Sequence, residues 1–327
     1  MSLEQLPLEI CRCIFRFACV DTGSTGRSLS LVSKYINAAA KPVGLQCICV
    51  RGLRQMEGFA TVLEHMAPEF RRVRHLCITD HRKRLFVFEG EVITEEAVKE
   101  IPMMEDGKLN VTDMEETRSD ALRRIISAVA PSIVTLSIYF AVCARAHIKI
   151  PFSLPRLVEL TTLLNFNSIE LAVLTLESFK PHPSLRRWNT NGLNVYPEYL
   201  FGHITRLAAG LTHLRLANIV ECSGALERAL DPEYNGFEER VMLPLTITKV
   251  FVQPSLLWDL EFSRTIFARQ NGRIVLEGYG DDTIYGRKGA KVAERQWLER
   301  INGGRGCWKV SKKGRLFMRF SLVATNT

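Results

Sequence analysis

No stretch of this sequence carries the roughly 18 consecutive apolar residues that a membrane-spanning helix needs. From Met1 to Ile14 acids come early and no basic run precedes an apolar one, which is not the pattern of a secretory signal. The expected compartment is therefore the cytoplasm or the nucleus. No CxxC pair occurs. The nine cysteines are odd in number and scattered, and the close pairs Cys11/Cys13 and Cys47/Cys49 are CxC. That fits neither a disulfide framework nor common zinc spacing. The cysteines are expected to act as small apolar residues in a reducing compartment.

Catalytic signatures are missing as well. Gly278-Tyr279-Gly280 and the stretch Gly286 to Lys291 lack the spacing of a phosphate-binding loop. There is no GxSxG elbow, no HExxH and no kinase loop set. The seven histidines are dispersed, and Asp80-His81 has no nucleophile tied to it. These absences predict a protein that performs no bond chemistry and takes no metal and no cofactor. What the sequence does have is material for a core: 46% apolar and 24% charged residues over 327 positions are ordinary globular values, enough for one to three domains.

The net charge of +8 is unevenly placed. Between Gly286 and Phe320 eleven basic residues face only Glu294 and Glu299. Arg287, Lys288, Lys291, Lys309, Lys312, Lys313 and Arg315 are the candidate basic surface. Trp297, Trp308, Phe317 and Phe320 are interleaved with them, a mixture that suits phosphate contact and base stacking. Yet Val292, Ala293, Gln296, Trp297 and Ile301 repeat as on an amphipathic helix, and residues 308–310 and 316–320 alternate as two strands would. The segment is accordingly expected to be a terminal cap with a solvated basic face. An acidic protein or a nucleic acid is kept as an alternative partner. The segment Glu89 to Asp120 is the reverse, with eleven acids against Lys99, Lys108 and Arg118.

Near the start, Leu6, Ile10, Ile14 and Phe17 recur at helical spacing, with Phe15 beside them. Pro7 suits a first helical turn and Glu9 its positive end. Asp21 to Gly26 is dense in turn residues and predicts a loop. Residues 28–40 then predict a second helix, with Leu29, Val32 and Ile36 on one face, and Pro42 ends it. Helices over about 40 residues bury little on their own and must lean on the neighbouring domain or on a partner.

Leu6-Pro7-x-Glu9-Ile10-x-x-x-Ile14-Phe15, succeeded by Leu29-Ser30-Leu31-Val32-Ser33-Lys34-Tyr35-Ile36, resembles an F-box. It is most similar to the divergent F-box-like proteins of mushroom-forming (basidiomycete) fungi. Tyr35 stands where many F-boxes have Trp. The resemblance covers about 35 residues. It implies docking to the Skp-type linker subunit of a cullin ubiquitin ligase, with Leu6, Pro7, Ile10, Ile14, Phe15, Val32 and Tyr35 as the linker contacts. It also implies an unknown target protein as second partner and ubiquitin-dependent degradation as the outcome.

Beyond residue 45 a short pattern repeats: a small residue or proline, then an apolar anchor, then an apolar centre flanked by alternating residues. Ile133…Leu136…Ile138, Leu157…Leu160…Thr162, Leu185…Trp188…Thr190 and Leu211…Leu214…Leu216 fit it. Val73…Leu76…Ile78 and Ile247…Val250…Val252 flank them. The central spacings of 24, 28 and 26 lie in the leucine-rich-repeat range. Helical stretches fall between, over 55–66, 116–130 and 199–211.

The expected fold is therefore α/β. Residues 1–44 form a helical F-box-like module. Residues 45–253 form an irregular leucine-rich-repeat-like array of parallel strands with outer helices, with an acidic insertion near 85–118. Residues 254–327 form a basic C-terminal cap. An ordinary α/β domain, and with it a doubly wound enzyme, is the alternative for the array. A repeat scaffold outside any ligase is the alternative for function.

Overall fold

The computed structural model describes residues 3–79, 111–143, 153–166, 179–191, 197–219, 223–230, 242–254, 273–277 and 286–309. The N-terminal module has three helices: α1 (Leu8–Ala18), α2 (Ser24–Leu29) and α3 (Lys34–Ala40). Cys11, Phe15, Cys19, Ile36, Ala39, Ala40 and Val43 form its small interior.

Two local features depart from the sequence expectation. The stretch 21–26 is not a plain loop. Asp21 accepts hydrogen bonds from Gly23 N (2.8 Å), Thr25 N (2.9 Å) and the Ser24 and Thr25 hydroxyls, and so starts α2. Residues 28–40 are likewise not one helix. Ser33 is extended and its Oγ accepts from Ile36 N at 3.2 Å, capping α3 and leaving Leu31 and Val32 in the turn before it. Propensity alone did not show these breaks, because Ser and Asp compete with a continuing helix through their own side chains.

The array is one sheet of eight parallel strands in sequential order: β1 (Cys47–Arg51), β2 (His75–Thr79), β3 (Thr135–Cys143), β4 (Glu159–Phe166), β5 (Arg187–Asn191), β6 (His213–Ile219), β7 (Lys249–Pro254) and β8 (Ile274–Leu276). The register is regular. Ile48, Leu76, Leu136, Leu160, Trp188, Leu214, Val250 and Ile274 stand side by side across the sheet. The doubly wound alternative is thereby excluded, since its strand order must reverse. A second ladder runs just ahead of the strands: Arg74, Val134, Val158, Arg186, Thr212 and Thr248 each donate from N to the carbonyl of the equivalent residue one repeat earlier, beginning at Gln46. The anchors Val73, Ile133, Leu157, Leu185, Leu211 and Ile247 are all buried at these turns.

Helices α4 (Gly52–His65), α5 (Val111–Val129), α6 (Pro197–Leu207) and α7 (Ser223–Leu230) bury one apolar stripe each in the core with this strand face. Helix α4 uses Met56, Ala60 and Leu63, with Phe59 partly packed. The sequence spacing predicts Phe59, Val62, Leu63 and Met66 on one face of this helix, but Val62 faces outward at 50% exposure. Trp188, the largest fully buried side chain among the described residues, fills the middle and donates Nε1–H to Thr162 Oγ1 at 3.0 Å. Strands β1 and β8 and helix α7 were not foreseen; β8 is only three residues long. Of the acidic insertion, residues 85–110 lie outside the described residues; its last residues belong to α5.

The C-terminal helix α8 (Gly286–Ile301), with a 3-10 turn after it at Gly306–Trp308, does not close the end of the array. It lies against β2 and β3 across the inner face of the sheet, the face opposite the other helices. Trp308 sits in that turn rather than in the strand expected at 308–310.

Candidate functional site

Helix α1 is apolar on two sides. Cys11 and Phe15, one turn apart, point into the module interior. Ile10, Ile14 and Phe17 share the other side and are 48%, 42% and 81% exposed. Leu31 and Val32, in the turn between α2 and α3, are exposed as well. Of the residues assigned to linker contact, Pro7, Ile10, Ile14 and Val32 are on the surface. Leu6 and Tyr35 are half-buried, and the Tyr35 hydroxyl donates to the Leu6 carbonyl. Phe15 is a correction: at 2% exposure it is part of the module's own interior and is closed to a partner. The helical period that places 10, 14 and 17 outward necessarily turns 11 and 15 inward. Phe17 and Leu31 are exposed apolar neighbours that were not assigned.

The module is joined to the first strand. Gln46 Nε2 donates to the Arg16 carbonyl at 2.5 Å and to the Cys19 carbonyl at 3.0 Å, and Cys49 N donates to Thr22 O at 3.1 Å. At Gly26 a Cβ would stand 2.1 Å from the Gly44 carbonyl oxygen, so only glycine permits this close approach. The open edge of β1 is covered in this way.

The inner face, where repeat proteins usually receive partners, is covered from β1 to β7 by the chain's own residues 286–308. Trp297 packs on Cys47, Cys49 and Cys77, while Ala290 and Ala293 pack on Tyr139 and Leu163. Further along, Trp308 meets Phe251 edge-on at a ring separation of 5.7 Å. Polar ties hold both ends. The Arg51 guanidinium binds Glu294, with Nε donating at 2.9 Å. Glu159 accepts from Arg300 Nε at 2.7 Å and from Trp308 Nε1 at 3.0 Å. Arg215 donates to the Cys307 carbonyl at 2.8 Å and to Glu277 at 2.7 Å. Glu159, Arg215 and Cys307 were not foreseen as a group. In the sheet Glu159 stands between Thr135 and Arg187, and Arg215 between Asn189 and Phe251.

Of the candidate basic surface, Arg287 and Lys288 belong to α8. Lys291 is exposed on it, and Lys309 is exposed and paired with Glu299. Lys312, Lys313 and Arg315 lie outside the described residues.

Burial holds two thiols and two imidazoles of the interior neutral. Burial pushes the thiol of Cys47 up to about 12 and that of Cys307 to about 12. Burial, helped by Arg74, pulls His75 down to about 4, and burial alone pulls His182 to about 4. A thiol held protonated is a poor nucleophile. Among the described residues no group of three or more His, Cys, Asp or Glu could hold a metal ion. No helix among them is long and apolar enough to cross a membrane. Compared with known proteins, the chain matches no family model, no curated protein and no solved structure.

Proposed function

We propose that this chain is an F-box-like adaptor of a cullin-type ubiquitin ligase, working in the cytoplasm or nucleus. The N-terminal module docks on the Skp-type linker subunit through Pro7, Ile10, Ile14 and Val32, joined by Phe17 and Leu31, and the array carries a target protein. Its mechanism is proximity: it raises the local concentration of the target at the ligase without bond chemistry. One observation carries this reading. Of the eight large hydrophobic side chains exposed among the described residues, six (Leu3, Ile10, Ile14, Phe17, Leu31 and Val32) lie on the N-terminal module. Apolar surface concentrated in this way marks an interaction site. The test is capture of the purified linker subunit by wild type and by Ile10→Asp/Val32→Asp. Loss of capture with an unchanged melting curve is expected. Equal recovery rejects the docking assignment.

A second reading, a repeat scaffold outside any ligase, is favoured by the bonds from Gln46 and Cys49 into the module, which make it a cap for β1. Deleting residues 1–42 separates the two. If capping is the module's sole role, the array loses its cooperative transition on deletion and the intact chain does not capture the linker subunit.

A further inference from the structure

Where the N-terminal module meets the array, the fold opens a cleft of about 1590 Å³ along the leading ends of the first strands. Eight arginines from four separate parts of the chain line it: Arg12 and Arg16 from α1; Arg71, Arg72 and Arg74 from the segment entering β2; Arg123 and Arg124 from α5; and Arg156 from the turn before β4. No lysine lines it, and the acids are Glu64 and Glu69. Three of the arginines are already engaged. Arg124 holds Glu64, with Nε donating at 2.7 Å; Arg123 holds Asp120 at 2.6 Å; Arg71 Nε donates to the Met66 carbonyl at 2.8 Å. The other five, Arg12, Arg16, Arg72, Arg74 and Arg156, are exposed and have no carboxylate within ion-pair distance among the described residues.

Gathering like charges in a concave site costs folding energy and focuses a positive potential. The guanidinium fork pairs bidentately with phosphate and carboxylate oxygens, which an ammonium cannot do. The only aromatic side chain in the lining, Phe70, has the Lys41 ammonium 4.2 Å over its ring, so that face is not open for base stacking. Single-stranded nucleic acid usually needs such a platform. The cleft also exceeds the roughly 300–1,000 Å³ of a small-molecule site. The partner that fits is an extended chain bearing several anions.

We propose that this arginine cleft binds an anionic segment of a partner protein, one carrying clustered phosphoserines or phosphothreonines or a run of Asp and Glu. The site is separate from the exposed apolar patch and does not rest on linker docking. It is read out by fluorescence anisotropy of the full chain with a labelled multiply phosphorylated serine peptide. The arms are its unphosphorylated form, its glutamate form and an oligouridine of matched length. The phosphorylated or the glutamate peptide binds, more weakly as salt rises, and the better of the two names the source of the anions. Arg72→Glu/Arg156→Glu lowers that affinity at least about tenfold, since each lost charge-assisted hydrogen bond is worth about 1.5–3 kcal/mol. Arg12→Glu/Arg16→Glu on α1 does the same. Lys291→Glu/Arg295→Glu on the exposed side of α8 leaves binding unchanged. If a charge-reversed variant does not fold, Arg72→Gln/Arg156→Gln serves in its place. Unchanged affinity in the cleft variants overturns the proposal, as does absence of peptide binding, or tighter oligouridine binding lost in the same variants.

Discussion

His182 shows how one residue ties stability to pH. It is 1% exposed, and its Nδ1 accepts from Leu154 N at 3.3 Å. Its pKa is pulled to about 4 by burial, against about 6.5 when unfolded. The unfolded chain therefore binds the proton more readily. The stabilisation is complete above pH 6.5 and is lost as pH falls from there towards 4. Burial lowers His75 to about 4 in the same direction. Urea melts at pH 7 and pH 5 should show a loss of about 2 kcal/mol or more at the lower pH. His182→Gln should flatten part of that slope, and an unchanged slope would sink the assignment. Trp188 is a residue of the other kind, held by volume. Trp188→Ala should cost about 3–5 kcal/mol in chemical denaturation, because the central core cannot collapse around the void. A cost under 1 kcal/mol would mean that the site relaxes.

At the scale of an element, α8 shows that a helix is placed by what it covers. Its sequence is dominated by charge, and its small buried face of Ala290, Ala293 and Trp297 is matched to apolar residues on the inner face. Ala293→Asp would set a carboxylate against Tyr139 and Leu163 with no cation placed for it. The helix should then lift, and Cys47, Cys49 and Cys77 should become reactive to a thiol reagent that in the wild type labels the exposed Cys13. Labelling no greater than wild type would show that the helix stays down. The ion pairs contribute unequally. Lys309–Glu299 is at the surface, where solvent screens the pair and it adds little. Arg215–Glu277 is buried, and removing one partner there leaves an uncompensated charge worth about 3–5 kcal/mol.

For the whole molecule, the contacts predict a single cooperative unit. Residues 286–308 span the sheet from β1 to β7, Asn302 Nδ2 donates to Val20 O in the module at 3.2 Å, and Gln46 binds the end of α1. Tryptophan emission, to which Trp297 and Trp308 on the inner face and Trp188 in the core contribute, should change at the same urea concentration as far-ultraviolet dichroism. Two separated transitions would show that the module or the C-terminal helix melts on its own. The covered inner face also restricts where any protein partner can bind. With the strands from β1 to β7 occupied by the chain itself, a partner must use the helical side, the loops, the outer side of α8 or the arginine cleft.

The strand array was legible in the sequence because its signal is local. Leucines 76, 136, 160 and 214, with Trp188 and Val250, mark the strand centres, and period-2 alternation fixes which side faces the helices. The helical stripes of α5 and α6 were legible for the same reason, as was the amphipathic character of α8. Tertiary structure alone decided three things. It decided which apolar side of α1 stayed exposed, since 10/14/17 and 11/15 are equally good stripes until α3 packs on one of them. It laid α8 across the inner face, a contact between residues more than a hundred positions apart. And it gathered arginines from 12 to 156 into one cleft, although the linear charge map put the basic character at the other end of the chain. Periodicity travels along the backbone and can be read there; the pairing of distant faces is set by packing, which no single stretch of sequence contains.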